Sequence, residues 1–516
     1  MTEVLEAVNR FVWGAPALVL ILGVGLYLSI RAKCPQLRFF PRACADFFRK
    51  LRGKDSTAET VSPFQALCTA LAATVGTGNL AGVAGAIAIG GPGAVFWMWI
   101  CALVGMATKF AEATLAVRYR VKVNGEYVGG PMYMIQNGMK KPWHFLAALY
   151  SFFGVVAAFG VGNATQVNAV ITGINEAVIA FGGRETRAGN LLMGILLAGL
   201  IVAVLSGGMR RIGKMAEGLV PFASVLYLLL GTGVLIARAN AIGPAFASIV
   251  QGAFSPRAVT GGAVGSVWIA LRIGVSRGVF TNEAGMGTAS IAHAAASVRH
   301  PVEQGLMGIM EVFLDTVVIC TMTALVILVS GVPIPYGEDV GVALTTWAFA
   351  SVYGDWVSVL IAAALCCFAI ATVLGWGLYG ARCAQYLFGP GVWKRFVWLQ
   401  AVTVVVSALM KTGTVWLLSE TVNGLMAIPN LLVLAVLTPE LVRLVREYKN
   451  TRAEKTACGG TYESFNQCKP LRAVTYAEIP SAGSKGGKRG ETHLPFEHRS
   501  AGPGDTGGIL RSHSSI

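Results

Sequence analysis

The sequence predicts an all-α polytopic membrane protein, and three observations carry that reading. Of its 516 residues 54% are hydrophobic and only 13% charged, where soluble domains carry about 25% charged residues. Apolar runs near 20 residues, the length a bilayer-spanning helix needs, recur along most of the chain, and mean hydropathy is +0.62. The lysines and arginines gather in the loops between those runs and in the C-terminal tail, the positive-inside pattern. The net charge of +15 therefore points to a lipid bilayer and to no nucleic-acid partner. Five of the ten cysteines (Cys68, Cys101, Cys320, Cys366 and Cys367) lie in apolar runs, and no CxxC or zinc-spaced Cys/His cluster occurs. They read as small core residues, with no disulfide framework and no metal cofactor implied.

The first run, Phe11 to Ile30, has its basic residues after it and lacks a signal-peptidase site, so it reads as a retained helix with its N-terminus outside. The loop from Arg31 to Lys54 is strongly basic and hence cytoplasmic. Within it Phe40, Ala43, Phe47 and Leu51 recur at helical spacing, which suits an amphipathic helix on the membrane surface or a segment packed on the protein. The second run, Ser62 to Ile89, ends at the turn Gly90-Gly91-Pro92-Gly93, and the third follows from Ala94 to Val117. Lys109 and Glu112 are three apart there, the spacing of a neutralising pair on one helix face. Runs four to six are about Phe145–Phe181, Leu191–Leu205 and Glu217–Ile236; the fourth contains the polar patch Gly162 to Asn168. The seventh is about Ile242 to Ile273, followed by an inner segment from Ser276 to Gln304. The eighth, Leu306 to Val329, carries Glu311 and Asp315 on one face. The ninth to eleventh are about Val357–Leu387, Phe396–Met410 and Thr414–Leu437. About eleven spans put the C-terminus in the cytoplasm, and the basic residues after the last run agree. The polar tail beyond about Asn450 is expected to be disordered.

The second run holds Ala72-Ala73-Thr74-Val75-Gly76-Thr77-Gly78-Asn79, where two glycines beside β-branched residues weaken the helix. Gly78 and Gly82 also fit small-xxx-small packing. Setting aside the first run, ten remain. The first helix of the first five breaks at Gly76–Gly78, and that of the second five is expected to break at Gly261–Gly265. Interruptions at corresponding positions of two halves point to a transporter site between inverted repeats. Residues 1–61 are then an N-terminal helix and basic loop, 62–238 and 239–440 two five-helix repeats, and 441–516 a cytoplasmic tail. A broken helix offers N–H groups to a carboxylate and carbonyls to a hard cation such as sodium. The expected ligand is a zwitterion travelling with a cation.

Five stretches add a resemblance: TALAATVGTGN (Thr69–Asn79), GGPGAVFWMW (Gly90–Trp99), GMATKFAE (Gly105–Glu112), GGPMY (Gly129–Tyr133) and TNEAGMG (Thr281–Gly287). The chain resembles the alanine or glycine:cation symporter family over roughly residues 1–445. The resemblance implies a LeuT-type 5+5 inverted repeat with one extra N-terminal helix, and sodium- or proton-coupled uptake of alanine or glycine. Val75-Gly76-Thr77-Gly78-Asn79 also resembles the broken first helix of neurotransmitter:sodium symporters. By that likeness the amides of Thr77 and Gly78, beside Gly76, would hold the substrate carboxylate. The carbonyls of Ala72 and Val75, with Thr372, would hold sodium, and Thr74 and Asn79 would serve a second cation. Within the alanine symporters Gln166 would hydrogen-bond the substrate and Trp376 would restrict its side chain. Gly262, on the expected second break, joins the candidate substrate site. Ala371 stands beside Thr372 where related cation sites often have a second hydroxyl, which leaves sodium and proton both open as the coupled ion.

Two other classes fit less well. Thr74-Val75-Gly76-Thr77-Gly78 is similar to a potassium-channel filter, which needs four copies around an axis, and here it occurs once. An intramembrane enzyme needs an acid/base or nucleophile set. The obvious charged pairs are Lys109/Glu112 and Glu311/Asp315, and the second serves proton coupling as readily. No preceding strand is expected for a dinucleotide fingerprint at Gly76.

Overall fold

A computed structural model describes residues 9–457 except 10–11, 53–60, 124, 263, 339–340 and 411. Part of the basic loop and the tail beyond 457 lie outside the described residues. Helix α1 is Ala15–Arg31. The basic loop folds into α2, Phe40–Arg52. Its Phe40 ring stacks edge-on against Phe313 at 4.9 Å and its Cys44 sulfur is 3.8 Å from that of Met310, while Phe48 and Leu51 stay exposed. One face is thus packed on the protein and the other is open.

The second run starts at a capped end, where Ser62 Oγ accepts from Gln65 N at 3.0 Å ahead of Pro63. It forms α3, Pro63–Thr74, a π-helical turn Gly78–Gly82 and α4, Val83–Gly90, with a 53° bend at the break. Gly91, at φ +72°, turns the chain into α5, Gly93–Tyr119. A short hairpin follows, β1 (Val121–Val123) and β2 (Glu126–Val128), then α6, Pro131–Gly138. The long fourth run is α7, Phe145–Phe159, and α8, Thr165–Ala180, joined by a π-turn at Gly160–Ala164. Helices α9, Arg187–Leu205, and α10, Gly208–Ala237, complete the first half.

The seventh run departs from expectation. Ile242–Ile273 is not one interrupted span. It divides into α11, Ala239–Phe254, and the first part of α12, Val267–Asn282. Gly261 and Gly262, at φ +62° and +94°, make an exposed turn between them. The break of the second half lies further on, at Glu283–Gly287, between α12 and α13, Thr288–His293. This is inside the stretch read as an inner segment. Arg272 and Arg277 on α12 interrupt its apolar run and hide it as a span.

Helix α14, Pro301–Val312, continues through a π-helical stretch at Phe313–Cys320 into α15, Thr321–Val329. Then come α16, Val342–Tyr353, α17, Val357–Phe388, α18, Trp393–Ser407, and α19, Thr412–Ala457, which carries the last span past residue 440. Among the described residues seven helices are long and apolar enough to cross a membrane, and α3 with α4 makes one bent span more. Of the other expected spans, the first and tenth fall on α1 and α18, of 17 and 15 residues, and the seventh is divided between α11 and α12, of 16 residues each.

The core is shared by α5, which packs against α12 and α14, and α17, which packs against α7, α8, α10 and α3. At the basic end the halves are tied together. Ser297 N donates to Val61 O at 2.9 Å, and Arg120 donates to the carbonyls of Ala294 and Ala296 at 3.0 and 2.6 Å. At the start of α5 a Cβ on Gly93 would lie 2.1 Å from the Gly252 carbonyl carbon on α11, so only glycine lets the two helices cross there. Gly93→Ala should destabilise the protein by about 1–3 kcal/mol, the usual cost of overpacking, and lower its melting temperature in detergent. Gly23→Ala, with nothing within 4 Å of the added carbon, should leave it unchanged or slightly raised.

Candidate functional site

At the first break α3 ends in extended Val75 (φ −78°, ψ 100°). Gly76 N donates to Asn79 Oδ1 at 2.8 Å, so a side chain replaces the lost helical acceptor. On α17, Thr372 Oγ1 lies 3.5 Å from the Val75 carbonyl and donates to Phe368 O at 3.0 Å. A Cβ on Gly76 would lie 2.6 Å from Thr372 Oγ1 and 3.3 Å from Gln166 Oε1. A Cβ on Gly78 would meet Thr281 at 3.0 Å. The structure thus brings Val75, Gly76, Gln166 and Thr372 together and sets Gly78 against Thr281 of α12. Thr77 Oγ1 and Gln166 Oε1 are buried without a hydrogen-bond partner in the protein, and such atoms demand a ligand or water. Ala72 and Ala371 are buried on the two facing helices. Thr74 Oγ1 turns back to Ala70 O at 3.3 Å, along its own helix. Gly262 does not join this group: it sits on the exposed turn ahead of α12, with nothing within 4 Å of an added Cβ.

The second break is built from residues that sequence reasoning left out of the site. Glu283, Gly285 and Gly287 take φ of +53°, +95° and +78°. The freed N–H groups of Gly285 and Gly287 both donate to Glu112 Oε1 at 3.0 Å, and Asn430 of α19 donates to the same oxygen at 2.7 Å. Ala284 N donates to Asn282 Oδ1 at 3.0 Å. Glu283 accepts from Trp376 Nε1 at 2.8 Å and from Thr288 Oγ1 at 2.6 Å. A signal was present, since Gly285-x-Gly287 repeats the spacing of Gly76-x-Gly78.

The expected charge pairs are rearranged. Lys109 does not pair with Glu112; its Nζ lies 2.8 Å from Glu311 Oε1, both side chains fully buried. His293 Nε2 is 2.9 Å from the other Glu311 oxygen, and Gln304 bridges His293 Nδ1 at 2.7 Å. Glu311 and Asp315, expected on one face, are separated by the start of the π-helical stretch at Phe313 and take different partners. Asp315 accepts from Asn79 Nδ2 at 2.7 Å and from Thr316 Oγ1 at 2.8 Å. Tertiary partners override the i, i+3 and i, i+4 spacings because in a dry interior each charge goes to the donor that fits it best.

Two broken helices that meet where Gly78 lies against Thr281, with unpartnered polar side-chain atoms at the first break, can bind a small zwitterion and a cation. The fold is that of LeuT-type secondary transporters. It matches the crystal structure of MhsT in complex with L-phenylalanine at a TM-score of 0.54 and 15% identity, over 76% of this chain and 99% of that one. The sequence pattern of the Sodium:alanine symporter family matches residues 1–459, and the chain belongs to that family. It is 41% identical to the sodium/alanine symporter AgcS of Methanococcus maripaludis, over 87% of this chain and 98% of that protein. It is 36% identical to the probable sodium/glutamine symporter GlnT of Bacillus subtilis, over 88% and 92%. The protein is a multi-pass membrane protein and a cation-coupled amino-acid symporter, not an enzyme.

The buried ion pair yields a prediction. Lys109→Met leaves Glu311 without its lysine and should destabilise the protein by about 3–5 kcal/mol. Adding Glu311→Gln should restore a large part of that loss in thermal unfolding. A double variant no more stable than the single would mean that the pair is not coupled.

Proposed function

We propose that the protein imports alanine or glycine by alternating access, driven by sodium. It lies in the cell membrane with its N-terminus outside and its C-terminus in the cytoplasm, as the basic loops suggest. The observation that best supports the reading is the convergence of Gly76, Gln166 and Thr372 on the first break, with Thr77 Oγ1 and Gln166 Oε1 buried and unpartnered.

In this reading the amides of Thr77 and Gly78, beside Gly76, bind the substrate carboxylate, and Gln166 hydrogen-bonds the substrate. Trp376, 1% exposed, limits side-chain size. Sodium takes the carbonyls of Ala72 and Val75 with the hydroxyl of Thr372; Ala371 adds no hydroxyl beside it. A second cation, sodium or a proton, belongs near Asn79, whose amide is tied to the buried Asp315; Thr74 could join it only by leaving Ala70. No prosthetic group has a role. The relatives named for alanine and for glutamine carry substrates whose side chains differ in both size and polarity, so the limit set by Trp376 is tested by comparing side chains of graded size.

Radiolabelled alanine and glycine uptake into liposomes holding the purified protein tests this, with an inward sodium gradient, an inward proton gradient, or neither. Concentrative uptake with sodium alone is expected. Uptake with protons alone would move coupling to Asp315, and no uptake of either amino acid would overturn the substrate assignment. Thr372→Ala should raise the sodium concentration for half-maximal uptake about tenfold, the equivalent of a ligand worth about 1.4 kcal/mol. Gly76→Ala should abolish uptake with insertion intact, because its Cβ would lie 2.6 Å from Thr372 Oγ1.

A further inference from the structure

Glu283 is an expensive residue where it stands. It is 3% exposed, and among the described residues it has no ion-pair partner. Its φ of +53° is a left-handed conformation that side chains other than asparagine or aspartate rarely adopt. A buried carboxylate in a strained backbone position persists when the surroundings over-determine it, and such strain gathers at functional sites. Two contacts hold it: Thr288 Oγ1 donates to one oxygen at 2.6 Å and Trp376 Nε1 to the other at 2.8 Å.

The indole is fixed on its remaining sides. A Cβ on Gly162, in the π-turn between α7 and α8, would lie 2.1 Å from Trp376 Cβ, so that turn presses directly on the base of the side chain. The ring meets Tyr379 at 5.9 Å in an edge-on contact. On α17 Trp376 lies one helical turn, about 6 Å, beyond Thr372 toward the basic end. It therefore stands between the Gly76–Thr372 site and that end, as a floor.

We infer that Glu283 is a specificity-determining positioning residue, latching the Trp376 indole across the floor of the substrate site. The latch sets the room left for the substrate side chain. It joins the floor to the unwound turn of the second broken helix, so movement of that turn moves the floor with it. Glu283 acts through Trp376 and need not touch the substrate. The inference rests on the proposed placement of the substrate at the first break.

The test is equilibrium binding of radiolabelled alanine to the purified full-length protein in sodium, competed by glycine, alanine, 2-aminobutyrate and glutamine. Binding is read without transport, so a variant that binds but cannot cycle still reports. Wild-type protein that binds neither alanine nor glycine would refute the substrate reading itself, separately from the latch. In wild type one added methylene, alanine to 2-aminobutyrate, should weaken binding about tenfold or more, the usual discrimination of a rigid pocket. Glu283→Ala should shrink that ratio to about threefold or less. Glu283→Gln, whose amide oxygen can still accept from the indole, should keep the wild-type ratio. Trp376→Phe keeps a ring but lacks the N–H. It should also shrink the ratio, and adding Glu283→Ala to it should change nothing further. An unchanged ratio in Trp376→Phe would overturn the latch, even if Glu283→Ala does not fold. Additive effects of the two substitutions would overturn it as well.

Discussion

A helix broken inside a membrane protein frees backbone N–H groups where water cannot reach them, and each must find an acceptor from elsewhere. Here the acceptors are side chains. Gly76 N goes to Asn79, Ala284 N to Asn282, and the amides of Gly285 and Gly287 to Glu112. Those side chains then need partners of their own, and this second demand joins the two breaks. Asn79 donates to Asp315 at 2.7 Å, Thr316 donates to the other oxygen of Asp315 at 2.8 Å, and Asn282 donates to Thr316 at 3.1 Å. One unbroken path of hydrogen bonds runs from the backbone of the first break to that of the second through a single carboxylate. A change in charge at Asp315 is therefore felt at both helices, which is what coupling an ion to a substrate between them requires.

The buried charges divide by task. Glu311 holds the buried lysine, Lys109, at ion-pair distance and reaches His293 on α13. Glu112, Glu283 and Asp315 are held by neutral N–H and O–H donors. The first arrangement is electrostatically closed and suits structure, since separating its members strands a charge in low dielectric. The second sets three buried carboxyl groups at the two breaks on neutral donors, with no ion-pair partner among the described residues.

The sequence shows one break plainly and hides the other for a physical reason. Gly76 and Gly78 lie inside an uninterrupted apolar run, so their weakness as helix formers stands out. Around the second break Arg272, Arg277, Asn282 and Glu283 destroy the apolar run. The glycine-rich Gly261–Gly265 then offers a more visible interruption, although it only turns the chain at an exposed surface. Most span positions were legible because bilayer thickness imposes length and composition directly. The partners of Lys109, Glu112 and Asp315 were not, because spacing rules describe an isolated helix and these side chains bond across helices.

A second obstacle to reading the site is the phase of the helices themselves. Asn79 lies in the π-turn at Gly78–Gly82, Gln166 just beyond the one at Gly160–Ala164, and Asp315 and Thr316 within the π-helical stretch at Phe313–Cys320. A π-turn adds a residue to one helical turn, so side chains beyond it swing to a face that a regular helix would not give them. It also loosens the local hydrogen-bond ladder, a cost retained where the altered direction is needed. Three such turns carry polar side chains toward one depth of the bundle. The site is thus assembled by departures from regular helix geometry, two complete breaks and three partial ones. Periodicity, which assumes the regular helix, finds the spans and cannot find the partners.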